Sequence, residues 1–82
     1  MPPRRNTYRA PAAAKVIQVI KLLCDSDRPL GVSEISQALN TNKNMIFRLL
    51  HALMDEGWIV RAGEGPRYRM GLRAFAYTSK PV

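Results

Sequence analysis

The chain has 82 residues, 46% of them hydrophobic and 23% charged, with a formal net charge of +7, which describes one small, basic domain whose core is marginal without a partner subunit or further domain. One cysteine, Cys24, and one histidine, His51, exclude an intrachain disulfide and a four-ligand Cys/His metal site. No apolar run approaches the length of about 18 residues that a membrane span needs, and the basic start MPPRRNTYRAP has no apolar signal core, so the cytoplasm is the expected location.

Residues 1–10 carry Arg4, Arg5 and Arg9 among prolines without hydrophobic periodicity, and read as a disordered basic arm. Pro11 suits the first turn of a helix, which AAAKVIQVIKLLCD continues to about Asp25. Val16, Ile20 and Leu23 repeat at helical spacing, flanked by Ala13, Ile17, Val19 and Cys24. That apolar face is wider than one packed neighbour requires, so it either covers more of the core or meets a second subunit. Cys24 itself reads as a small apolar residue.

Pro29 breaks this helix and biases Arg28 toward extended geometry. Gly31 and Glu34 resemble a weak capping box for a helix over 32–39, whose buried face would be Val32, Ile35, Ala38 and Leu39. Asn40 tolerates the left-handed backbone that a tight turn demands. Thr41 and Asn42 are the candidate caps of a third helix running to Glu56, which Gly57 stops. WIVRA and RYRMG then read as two strands joined by a Gly/Pro-containing loop. An isolated hairpin is marginal in water, so Trp58, Val60, Tyr68 or Met70 should pack back on the helices. LRAFAYTS begins another helical pattern.

The charge is unevenly placed. Residues 11–56 hold five basic and five acidic side chains, whereas residues 57–82 hold Arg61, Arg67, Arg69, Arg73 and Lys80 against Glu64 alone. The helical middle is neutral and the excess lies in the two flanks, a distribution suited to a polyanion, with nucleic acid first among candidates.

Residues 31–56 read as two short amphipathic helices joined by a tight polar turn. On the second, Ile46, Leu49, Leu50 and Leu53 form an apolar stripe, and Lys43, Asn44, Phe47, Arg48 and His51 form a polar one. A helix anchored on one side with donors and a cation on the other is suited to a DNA major groove. Lys43 and Asn44 lie in its first turn, where side chains and free backbone N–H groups meet phosphate, or serve only as caps. Arg48 is the candidate base reader, because guanine offers two acceptors that match its fork; a phosphate clamp or an ion pair is the competing reading. Phe47 either touches a thymine methyl or tucks against Trp58 or a helix. His51 reads as a surface or phosphate-contacting residue rather than a metal ligand or catalytic base. Neither a nucleophile nor a recognisable carboxylate pair accompanies it, and enzymatic function is not expected. Arg67 and Arg69 alternate with Tyr68 and Met70, so both should leave one face of the hairpin, to grip backbone or enter a minor groove, or simply to protect a solvated edge.

Three helices followed by an arginine-bearing hairpin is the order of a winged helix-turn-helix. In its segments AKVIQVIKLL, RPLGVSEISQALN, NKNMIFRLLHAL, DEGWIVRAG and RYRMGLRAFAY the chain resembles the DNA-binding domain of IclR-type transcription regulators. The resemblance implies a mainly α fold with a three-helix core and a two-stranded wing. It divides the chain into the arm at 1–10, a winged helix-turn-helix at 11–71 and the start of a linker helix at 72–82, leading to a C-terminal effector-binding domain absent from this chain. It also implies a homodimer that binds double-stranded DNA in a sequence-specific manner, a small-molecule effector bound only by the absent domain, and no cofactor. Thr41, Asn42, Lys43, Asn44, Met45, Phe47, Arg48, His51, Arg67 and Arg69 are then the candidate DNA-binding residues. The family commonly has Gly, Pro and Ser-Thr at Asn40, Asn42 and Asn44-Met45; Met45 removes a hydroxyl that would reach phosphate or a base edge. The alternatives are a protein-interaction module built on the same fold, or a nonspecific architectural DNA binder.

Overall fold

A computed structural model describes residues 10–79; the arm with Arg4, Arg5 and Arg9, and Lys80 at the other end, lie outside the described residues. In chain order the elements are α1 (Pro11–Asp25), β1 (Leu30–Gly31), α2 (Val32–Leu39), α3 (Lys43–Asp55), β2 (Ile59–Arg61), β3 (Arg67–Met70) and α4 (Leu72–Thr78). The fold is a mainly helical winged helix-turn-helix.

Helix boundaries follow local chemistry. Pro11 occupies the first turn of α1, where its missing N–H costs nothing. Gly31 has no side chain with which to cap α2, so only half a capping box forms: Glu34 Oε1 accepts the Gly31 amide at 2.9 Å. α2 ends at left-handed Asn40 (φ 50°), with the Asn40 and Thr41 amides donating back to Gln37 and Ser36. The same closure ends α3. Gly57 takes φ 81°, its amide donates to Met54 O and that of Trp58 to Leu53 O, both at 2.9 Å. A Cβ at Gly57 would stand 2.9 Å from Cδ of Arg73, an exposed side chain able to swing aside, so it is the positive φ that reserves the position for glycine.

Val19 and Leu23 of α1, Leu30 of β1, Ile35 of α2, Ile46, Leu50 and Leu53 of α3, Ile59 of β2 and Tyr68 of β3 form one buried cluster. Fully burying each of the eight aliphatic side chains contributes about 1.5–3 kcal/mol, and with Tyr68 they hold the three helices against the sheet. Val16, Ile20, Trp58 and Met70 pack around them, whereas Ile17 and Cys24 are exposed.

Several details differ from the sequence reading; Ala38, expected on the buried face of α2, is exposed. The sheet has three antiparallel strands in the order β1-β3-β2, not two: Leu30 pairs with Tyr68 and Gly31 with Arg67. Within the hairpin, Ile59 faces the core and Val60 faces out, opposite Arg69. The Trp58 amide closes α3 while its carbonyl accepts the Gly71 amide at 2.9 Å, and the register sets Ile59 opposite Met70. No helix among the described residues is long and apolar enough to cross a membrane.

Candidate nucleic-acid interface

α3 divides as its stripes imply. Ile46, Leu50 and Leu53 are buried, while Lys43, Asn44, Phe47, Arg48 and His51 are exposed. Among the described residues Arg48 forms no ion pair, and no acid shares its face nearer than Asp55 at the far end of the helix. The Phe47 ring lies 4.3 Å from that of His51, tilted by 56°, and stays about half exposed (48%). Phe47 therefore does not tuck against Trp58, whose partner is Tyr77 of α4 at 5.8 Å.

The turn before α3 has most of its polar groups committed. Asn42 is the cap: its side chain accepts the Met45 amide at 2.8 Å. Thr41 is not a cap, because its hydroxyl donates back to Leu39 O at 2.9 Å. Met45 is half-buried, at the border between the packed and the open face. Lys43 and Asn44 stay open in the first turn, and among the described residues their amides donate to no backbone carbonyl. The donors of a helix start thus remain available beside a lysine.

On the wing, Arg67 and Arg69 are exposed on either side of buried Tyr68, on the outer face of β3. Their surroundings differ. Among the described residues Arg69 makes only a local bond to the Met70 carbonyl at 3.3 Å, whereas Arg67 is paired with Glu34 of α2 at 3.2 Å. Glu34 also binds Arg28 at 2.7 Å, and the Arg28 hydrogen bond, followed by the Gly31 amide, holds its carboxyl down to about 2. Sequence reasoning saw Glu34 only as a cap; its ion pair with Arg67 joins positions 33 residues apart, too far for any local pattern to reveal. It also missed Lys15, whose ammonium donates to Leu39 O at 3.3 Å and binds α1 to the carbonyl end of α2. Among the described residues no group of three His, Cys, Asp or Glu side chains is placed to hold a metal ion.

Residues 12–63, more than half of the chain, match the IclR helix-turn-helix domain. The chain belongs to the IclR family. It is the DNA-binding helix-turn-helix domain of an IclR-type transcription regulator, a family of regulators and not of enzymes. Over 68 residues it is 27% identical to the HTH-type transcriptional regulator KdgR of Dickeya chrysanthemi, covering 83% of this chain and 22% of that protein. An IclR transcriptional regulator from Alicyclobacillus acidocaldarius superposes with a TM-score of 0.79 at 28% identity, over 85% of this chain and 28% of the other. The IclR protein of Thermotoga maritima has the same fold, with a TM-score of 0.74 at 20% identity over 84% of this chain and 28% of that one. The chain thus spans 22–28% of the length of these relatives.

Proposed function

We propose that this IclR-type domain binds double-stranded DNA in a sequence-specific manner, with α3 in the major groove. The observation that carries the reading is the division of α3: one side is fixed in the core through Ile46, Leu50 and Leu53, and the other presents Lys43, Asn44, Phe47, Arg48 and His51 to solvent. Arg48 reads a base edge, guanine being the base whose two acceptors match a guanidinium fork. Lys43, Asn44 and the open amides of the first turn hold a phosphate. Thr41 and Asn42 shape that turn, and Met45 offers an apolar contact at its edge. Phe47, braced by His51, meets a thymine methyl. The outer face of the wing lies along the flanking backbone or minor groove, with Arg69 its free cation and Arg67 shared with Glu34.

The domain would act within a larger protein. The chain spans 22% of KdgR, and α4 leaves Leu72, Phe75 and Tyr77 largely exposed, at 83%, 72% and 53%. In this reading residues 11–71 are the DNA-binding unit and residues 72–82 begin a linker toward an effector-binding domain, and the whole protein binds paired half-sites as a homodimer.

A salt titration of binding to duplex DNA tests the reading. Contact with several phosphates makes the logarithm of affinity fall linearly with the logarithm of salt, by about 0.9 per phosphate neutralised. A flat response, or binding that ignores DNA sequence, would leave a protein-interaction module or an architectural binder in its place.

A further inference from the structure

Two arginines outside α3 converge on a single carboxylate. Glu34 Oε1 accepts the Gly31 amide at 2.9 Å and Arg67 at 3.2 Å, while Oε2 accepts Arg28 at 2.7 Å. These donors come from the loop before β1, from β1 itself and from β3, so one side chain of α2 reaches every part of the join between the helix-turn-helix and the wing. That join is slight in backbone terms, since β1 has only two residues and pairs through Leu30↔Tyr68 and Gly31↔Arg67. An isolated exposed ion pair contributes little, because ordering two long side chains offsets the attraction. Here the carboxylate is already ordered by its bond to the Gly31 amide, so each guanidinium meets a fixed anion.

The arrangement also changes the charge of the wing. Of its outer-face arginines, Arg67 sits beside an acid and Arg69 does not. We propose that Glu34 is a positioning residue for the wing: it keeps Arg67 on the protein, joining β3 to α2, and so withholds that cation from phosphate and leaves Arg69 to meet it. This rests on the DNA-binding reading only for its second half, since the restraint on Arg67 exists without DNA.

The experiment therefore has two arms, both on the 82-residue chain. In the absence of DNA, 15N relaxation of the arginine Nε–H groups should find Arg67 restrained in the parent and as mobile as Arg48 in Glu34→Gln. Far-UV circular dichroism first establishes that the variant is folded, and Glu34→Asp, which keeps the charge, should restore part of the restraint. Arg67 as mobile as Arg48 in the parent overturns the proposal, whatever happens with DNA. In the second arm, a random-sequence duplex is titrated with sodium chloride. Glu34→Gln should steepen the salt dependence, and adding Arg67→Ala in that background should remove about 0.9 of the slope. An unchanged slope in Glu34→Gln overturns the withholding of Arg67. Restraint of Arg67 in a chain that binds no DNA would instead overturn the proposed function and leave the positioning role standing.

Discussion

Asn42 and Glu34 show how single side chains fix the geometry of this domain. Asn42 supplies the only side-chain cap of α3 among the described residues, through its 2.8 Å bond from the Met45 amide. Replacing it by Ala leaves that amide to water and should cost about 1 kcal/mol of stability in a denaturant titration. Proline, which the family commonly carries there, could not make this bond, so the chain has its own way of starting the helix. Glu34 has a pH signature as well. Its folded carboxyl is held near about 2, first by Arg28 and then by the Gly31 amide, below the ordinary glutamate range. A depressed carboxylate stabilises fully above its unfolded pKa of about 4.3 and loses that contribution as pH falls through the folded value. The stability difference between the parent and Glu34→Gln should therefore be constant near neutrality, shrink below about pH 5 and vanish near the folded pKa. A difference independent of pH over that range would mean that the charge on Glu34 contributes nothing.

At the scale of elements, helices were legible and the sheet only partly so. Each helix joins a 3.6-residue apolar period to an end signal, such as Pro11, Asn40 or Gly57, and two independent signals agree on the boundary. β1 has two residues, too few to display any period, and it exists because β3 is there to pair with it. In WIVRA, three successive apolar residues leave alternation unable to choose a face, and the choice is visible only in the register with β3, which sets Ile59 opposite Met70 and Val60 opposite Arg69. Ile59→Ala should accordingly cost about 2–5 kcal/mol, whereas Val60→Ala, at a position 37% exposed, should cost well under half as much; equal losses in paired unfolding experiments would contradict the register. The open face of α3 was legible because polar residues at helical spacing have nowhere else to point. The commitment of Arg67 was not, since its acid lies 33 residues away and both residue types are common on surfaces. Thr41 illustrates the same limit: a hydroxyl beside a helix start has a carbonyl behind it as well as amides ahead.

For the molecule as a whole, the neutral helix-turn-helix is flanked by segments that carry the positive charge, eight basic residues against Glu64 alone. In the proposed function, long-range attraction to DNA and discrimination between sequences fall to different parts: the flanks supply the first, and the open face of α3 the second. The apolar residues left bare on α4 accord with the proposal that the domain functions inside a larger protein. The central claim is that α3 reads base edges through Arg48. The most direct measurement compares the parent with Arg48→Ala on a duplex selected from random DNA and on an unselected one, at the same salt. The variant is expected to lose about 1–3 kcal/mol on the selected duplex, far less on the unselected one, and to accept other bases at one position. Equal losses on both duplexes, or none on either, would contradict the claim.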